Sequence, residues 1–181
     1  MSLDLIKNPL VLGLLWMLIL AVITDLSTRK IPNSLILFGL VASLVCQIVA
    51  LQGAGGLNWL AGVAVGFACF IPLYWLRGMA AGDVKLMMAV GGFVGYPHII
   101  KTAACVFIVG GVMALIMVLV NGKFKLLISN MRVMFIDVFI KASSGVSVAD
   151  DYVMKNSAGR MPYALAIAVG TAIALYLSAK A

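Results

Sequence analysis

The sequence predicts an all-α polytopic membrane protein, a bundle of six transmembrane helices. Hydrophobic residues make up 64% of the 181 residues, against about 45–50% in soluble domains. Charged residues make up only 10%, and the mean hydropathy is +1.16. Six long stretches without charge also recur along the chain. These observations exclude a water-soluble domain and leave room for one integral membrane domain, residues 1–181.

The six stretches define the predicted spans, because a helix needs around 20 residues to cross about 30 Å of hydrocarbon. The first and fourth stretches are short, so each reaches full length only by extending into its flanks. This extension draws Asp25 into the end of the first helix and Asp83 into the start of the fourth. The predicted spans are about 8–28, 34–52, 57–76, 83–97, 101–120 and 161–179.

The distribution of basic residues predicts the orientation in the membrane. Lys and Arg number 13 and acids number 6, giving a net charge of +7. The basic residues are scattered between apolar stretches, which argues against nucleic acid as a partner. Ten fall on the side of the odd-numbered loops and three on the other side, so both termini are expected outside the cytoplasm. The ten are Arg29, Lys30, Arg77, Lys85, Lys123, Lys125, Arg132, Lys141, Lys155 and Arg160.

The one sizeable hydrophilic segment, residues 121–160, is predicted to be a cytoplasmic loop. Apolar residues recur at helical spacing in its first part and indicate an amphipathic helix at the membrane surface. Such a helix serves either as a membrane-surface anchor or as a gate or docking face for a substrate helix. The apolar positions are Leu127, Met131, Met134 and Val138.

Two of the six aspartates, Asp25 and Asp83, lie within about one turn of the predicted hydrocarbon edge. The first helix runs inward and the fourth runs outward, so both carboxylates are expected at the cytoplasmic face. Asp25 has an alternative role in an ion pair with Arg29, and Asp83 has one as a helix N-cap. As a pair, they have the chemistry of an aspartic protease, in which two close carboxyl groups share a proton.

Other catalytic sets have weak support. His98 falls on the face opposite to both acids. The cysteines, Cys46, Cys69 and Cys105, lie inside apolar stretches without the spacing of a zinc site. The sequence therefore predicts no metal and no organic cofactor.

Two segments together resemble the motifs of prepilin peptidases, which are membrane aspartic proteases. These are residues 25–33, DLSTRKIPN, and residues 78–86, GMAAGDVKL. The last span, beginning MPYALAIAVG at residue 161, is similar to the closing segment of that family. The family often has Gly-x-Gly-Asp before the second acid, whereas Ala80 here replaces the first glycine.

The resemblance implies that Asp25 and Asp83 form a catalytic pair. It also implies removal of the leader peptide from type IV pilin-like precursors at the cytoplasmic face of the bacterial inner membrane. The chain lacks the paired Cys-x-x-Cys insertion of bifunctional members. It therefore looks like the compact, peptidase-only branch that serves tight-adherence (Flp) pili.

Five neighbouring residues are candidates for supporting roles at this site. Pro32 is expected to stop the first helix, and Asn33 or Ser34 to cap the second. Gly82 leaves room for a substrate backbone. Lys85 and Arg29 either favour the ionised form of the pair or serve membrane orientation.

Two other classes of function remain open from the sequence. A small transporter would also carry acids in a helix bundle, but nearer the middle of the membrane. A non-catalytic subunit of a pilus or secretion machine would not depend on either aspartate. The sequence leaves the oligomeric state open.

Overall fold

The computed structural model describes residues 9–51, 54–75, 78–120 and 162–180, which form six α-helices and contain no strand. The all-α prediction is therefore confirmed. The helices are α1 (Pro9–Thr28), α2 (Asn33–Leu51), α3 (Gly55–Trp75), α4 (Ala81–Val94), α5 (His98–Val120) and α6 (Tyr163–Lys180).

Five of these helices are long and apolar enough to cross a membrane, so the chain is a multi-pass membrane protein. The exception is α4, whose 14 residues extend only about 21 Å at 1.5 Å per residue. The predicted loop 121–160 and its amphipathic helix lie outside the described residues. The single domain over residues 1–181 accordingly stays a prediction.

The chain divides into two compact units. The first consists of Met1–Gly110 with Pro162–Ala181, and it contains α1 to α4, most of α5, and α6. The second is Gly111–Met161, of which the structure describes only the last ten residues of α5. The buried residues discussed below all belong to the first unit.

Helix α4 is buried, whereas its neighbours face outward along much of their length. Leu86, Met87 and Val90 of α4 are fully enclosed, and α1, α2, α3 and α6 all pack against this helix. The outer helices expose large apolar side chains, such as Trp16 and Phe38, which suits a lipid environment. A central helix shielded by protein does not itself have to match the thickness of the bilayer.

Backbone groups at the C-terminal end of α4 find hydrogen-bond partners in amide side chains from α2 and α3. Gln47 Nε2 donates hydrogen bonds to the carbonyls of Gly92 and Phe93, each at 3.3 Å. Asn58 Oδ1 accepts from the Tyr96 N–H at 3.0 Å, and Asn58 Nδ2 donates to Gln47 Oε1 at 3.2 Å. In a membrane protein, irregular backbone is tolerated where protein groups replace water in this way.

The predicted fourth span, 83–97, is shifted from the observed helix α4, Ala81–Val94. It begins two residues after the start of the helix and ends three residues after its last residue. The helix ends at Val94 because Gly95 takes a φ of +71°, while its N–H still donates to the Gly91 carbonyl at 2.8 Å. A left-handed φ is open to glycine without the steric penalty of a Cβ.

Helices α3 and α4 approach closely at glycines. A Cβ added to Gly62 would meet the backbone of Gly91, and one added to Gly91 would meet the backbone of Gly62. Gly66 lies in the same way against the backbone of Met87. The spacing of four between Gly62 and Gly66 predicts such an approach, since small residues let helices pack tightly in lipid.

We expect Gly62→Ala to lower the free energy of unfolding by about 1–3 kcal/mol, because the added methyl group would force two backbones apart. Gly56→Ala is the matched control in the same helix, since a Cβ at Gly56 meets no atom of the described part of the chain within 4 Å. Unfolding of the purified protein in mixed detergent micelles measures both. Equal stability of the two variants would show that this contact does not constrain the packing.

Candidate active site

Asp25 is a buried carboxylate in the last turn of α1, with only 8% of its surface exposed. Its Oδ2 atom accepts a hydrogen bond from the backbone N–H of Ala164 at 3.3 Å. Ala164 is the second residue of α6, and it is fully buried. Residues 139 positions apart in the chain are thereby joined.

This contact explains how an acid is held at the C-terminal end of a helix. There the dipole of α1 opposes a negative charge by roughly 0.3–1 kcal/mol. The N-terminus of α6 offers the opposite partial charge and a free N–H group, both of which favour a carboxylate. The ion pair with Arg29 is therefore not needed to explain Asp25. The backbone of Arg29 lies just after the end of α1, with a φ of 54°, and its N–H donates a hydrogen bond to the Asp25 carbonyl at 2.9 Å.

Asp83 occupies the third position of α4 and is 6% exposed. Its Oδ2 atom accepts a hydrogen bond from the backbone N–H of Ala80 at 3.2 Å. This is the N3 half of a capping box, in which an acid in the first turn binds back to the N-cap residue. The alternative in which Asp83 is the N-cap of α4 is therefore wrong, because the N-cap is Ala80 and Asp83 lies three residues later. The carboxylate nevertheless stabilises the start of the helix through its hydrogen bond to Ala80.

The fold brings the two acids together at one end of the bundle, although they are 58 residues apart (83 minus 25). Asp83 lies within electrostatic range of both Asp25 and the Tyr163 hydroxyl. Each carboxylate has its Oδ2 atom fixed by a backbone N–H at a helix start. Among the residues that the structure describes, no hydrogen bond to either Oδ1 atom is present.

The predicted supporting residues surround this end of the bundle. Lys85 Nζ donates a hydrogen bond to Asn33 Oδ1 at 3.0 Å, which links α4 to the start of α2. Asn33 is the first residue of α2, so it does not occupy the N-cap position of this helix. Its side chain binds Lys85. The carbonyl of Pro32 accepts the first bonds of α2, from Leu35 and Ile36.

Gly82 is half-buried beside Asp83 and leaves some space around its backbone. A Cβ added there would meet only the side chain of Ile31, at 3.6–3.8 Å, which is ordinary van der Waals contact. The glycine is thus not required by packing against the described residues.

Sequence reasoning did not include α6 in the site. The signal was present in Pro162, because proline is favoured at helix starts. It marked where α6 begins but could not show that a backbone N–H of the first turn would face Asp25.

Metal ligation finds no support among the described residues, where no group of three or more His, Cys, Asp or Glu side chains converges. Cys46, Cys69 and Cys105 are free thiols inside helices. His98 begins α5 and lines a cavity of about 560 Å³ together with Gln47 and Asn58, at the end of the bundle away from the acids.

The fold and the site together define a multi-pass membrane protein with two buried aspartates at the same end of its helix bundle. A sequence model of the type IV leader peptidase family matches residues 12–119, more than half of the chain and including both acids. The protein therefore belongs to this family and is a peptidase. No curated protein and no solved structure matches the chain significantly.

We expect the hydrogen bond between Lys85 and Asn33 to contribute at most about 1 kcal/mol to stability, because it is exposed to solvent. Lys85→Met and Asn33→Ala should lower the free energy of unfolding to a similar extent. The double variant should then be no less stable than either single one. Additive losses would show that the two side chains act independently.

Proposed function

We propose that the protein is an aspartic endopeptidase that removes the leader peptide from type IV pilin-like precursors of the Flp type. The observation that supports this proposal is that Asp25 and Asp83 are both buried at the same end of the bundle. Family membership supports a prepilin-type substrate in general. Intramembrane acids are also costly in apolar surroundings, so they commonly serve function.

The reaction follows from two close carboxyl groups that share one proton. The ionised group takes a proton from a water molecule, whose oxygen adds to the scissile carbonyl carbon. The protonated group gives its proton to the carbonyl oxygen. The tetrahedral intermediate then collapses as the C–N bond breaks and the leaving nitrogen receives a proton. The anchored Oδ2 atoms orient both acids, so the Oδ1 atoms face the reacting groups.

The substrate fits the position of the acids. A pilin precursor has an apolar helix preceded by a short basic leader. With the apolar helix in the membrane, the junction with the leader reaches the membrane edge, where the acids lie at the end of their helices. Water is available at this level, and hydrolysis requires it.

The positive-inside distribution supports the cytoplasmic face of the bacterial inner membrane as the place of cleavage. In this orientation, both termini lie outside the cytoplasm, and the ends of α1 and α6 that meet at Ala164 point inward. Lys85 and Arg29 lie on the same side, so their contribution to orientation is part of this proposal.

The transporter alternative is less well supported. Transporters place their acids near the membrane midplane at broken helices. The break in this bundle, after Val94, is closed by the amides of Gln47 and Asn58. The acids instead lie at helix ends.

Asp25→Asn and Asp83→Asn should each abolish cleavage, because an amide can neither activate water nor carry the shared proton. Co-expression with an Flp-type prepilin and detection of leader loss by gel mobility measures this. Asp150→Asn removes the same charge from the hydrophilic segment and should cleave normally. Full cleavage by either Asp25→Asn or Asp83→Asn, with the protein inserted in the membrane, would reject the catalytic pair.

Gly82→Ala should fold with unchanged stability, since the added methyl group makes only ordinary contact with Ile31. If a substrate backbone approaches Gly82, the same methyl group should reduce kcat/KM by about tenfold. Gly56→Ala, at the opposite end of the bundle, is the control. Cleavage by Gly82→Ala at the wild-type rate would show that the substrate backbone does not approach Gly82.

A further inference from the structure

The first turn of α6 contacts Asp25 although it lies outside the family match of residues 12–119. The Ala164 N–H donates to Asp25 Oδ2, and the Tyr163 side chain lies within electrostatic range of Asp83. One short segment therefore binds Asp25 directly and lies in the neighbourhood of Asp83.

The local structure of this turn directs a single backbone donor at Asp25. Pro162 precedes the helix and has no N–H, and its carbonyl accepts from the Leu165 N–H at 3.4 Å. Ala164 is completely buried, so its N–H has no access to water. Leaving such a donor without a partner costs free energy, and the Asp25 carboxylate supplies the partner.

Tyr163 is held in place by a glycine of α5. The space where a side chain of Gly110 would project is occupied by the Tyr163 hydroxyl and ring. Among the described residues, nothing lies within 4 Å of the corresponding position at the adjacent Gly111. Gly110 thus leaves the space that the Tyr163 side chain fills, which we call the socket of Tyr163.

We propose that Tyr163 and Ala164 are positioning residues of the active site, with Gly110 as the socket that holds them. The Ala164 N–H fixes one oxygen of Asp25, and so it directs the other oxygen towards the reacting groups. This inference rests on the proposed aspartic peptidase function. Because the segment acts through Asp25 after the substrate is bound, its loss should lower kcat and leave KM unchanged.

The test compares Gly110→Ala with Gly111→Ala in the purified full-length protein, with an Flp-type prepilin as substrate. Both variants add one methyl group to α5, one residue apart, but only the first displaces Tyr163. We expect kcat to fall by about tenfold or more in Gly110→Ala, with KM within about twofold of wild type. Gly111→Ala should retain the wild-type kcat. Melting temperatures identify any variant that has lost its fold.

A second substitution removes the donor itself. Replacing the Ala164 residue by its α-hydroxy acid in cell-free translation exchanges the N–H for an ester oxygen and retains the side chain. The same exchange at Leu165 is the control, because its N–H does not contact Asp25. We expect kcat to fall about tenfold for the first ester only, as for the loss of a hydrogen bond to a charged group.

Wild-type kcat in the Ala164 ester would overturn the inference, and so would equal losses in the two esters. Asp25→Asn is assayed in parallel. If that variant still cleaves, the proposed peptidase mechanism has failed. If it is inactive while the Ala164 ester is fully active, only the positioning role has failed.

Discussion

Two carboxylates buried at the end of an apolar bundle are stable only if protein groups replace the water they have lost. Backbone N–H groups at two helix starts do this here, that of Ala80 for Asp83 and that of Ala164 for Asp25. Helix starts are the natural source of such donors, because their first N–H groups have no partner within the helix. The meeting point of α1, α4 and α6 is set by this requirement.

The central position of α4 makes that meeting point possible. Because it is surrounded by protein, α4 can be shorter than a membrane span and can begin at the end of the bundle where Asp25 lies. Its other end is completed by Gln47 and Asn58, and its flank is fitted to α3 through Gly62 and Gly91. The helix is thereby fixed at both ends and along one face, and Asp83 is fixed with it.

The family match and the geometry contribute different parts of the description. The match covers both aspartates and establishes a leader peptidase, but it ends at residue 119. Helix α6 follows, and its first turn supplies the donor on Asp25. An acid that is unfavourable when α1 is considered alone becomes favourable once α6 is included. Both acids thus belong to the matched region, whereas the Ala164 N–H that binds Asp25 lies outside it.

The sequence alone determined the all-α membrane fold, the approximate helix ranges and the two acids worth attention, because hydrophobic stretches and rare charges are local properties of the chain. It could not determine that Ala164 binds Asp25, that Lys85 binds Asn33, or that α4 ends at Val94 under Gln47. Each of these depends on which helices are neighbours and how they are rotated. Hydrophobic patterning leaves both undetermined in a bundle whose helices are apolar on every side.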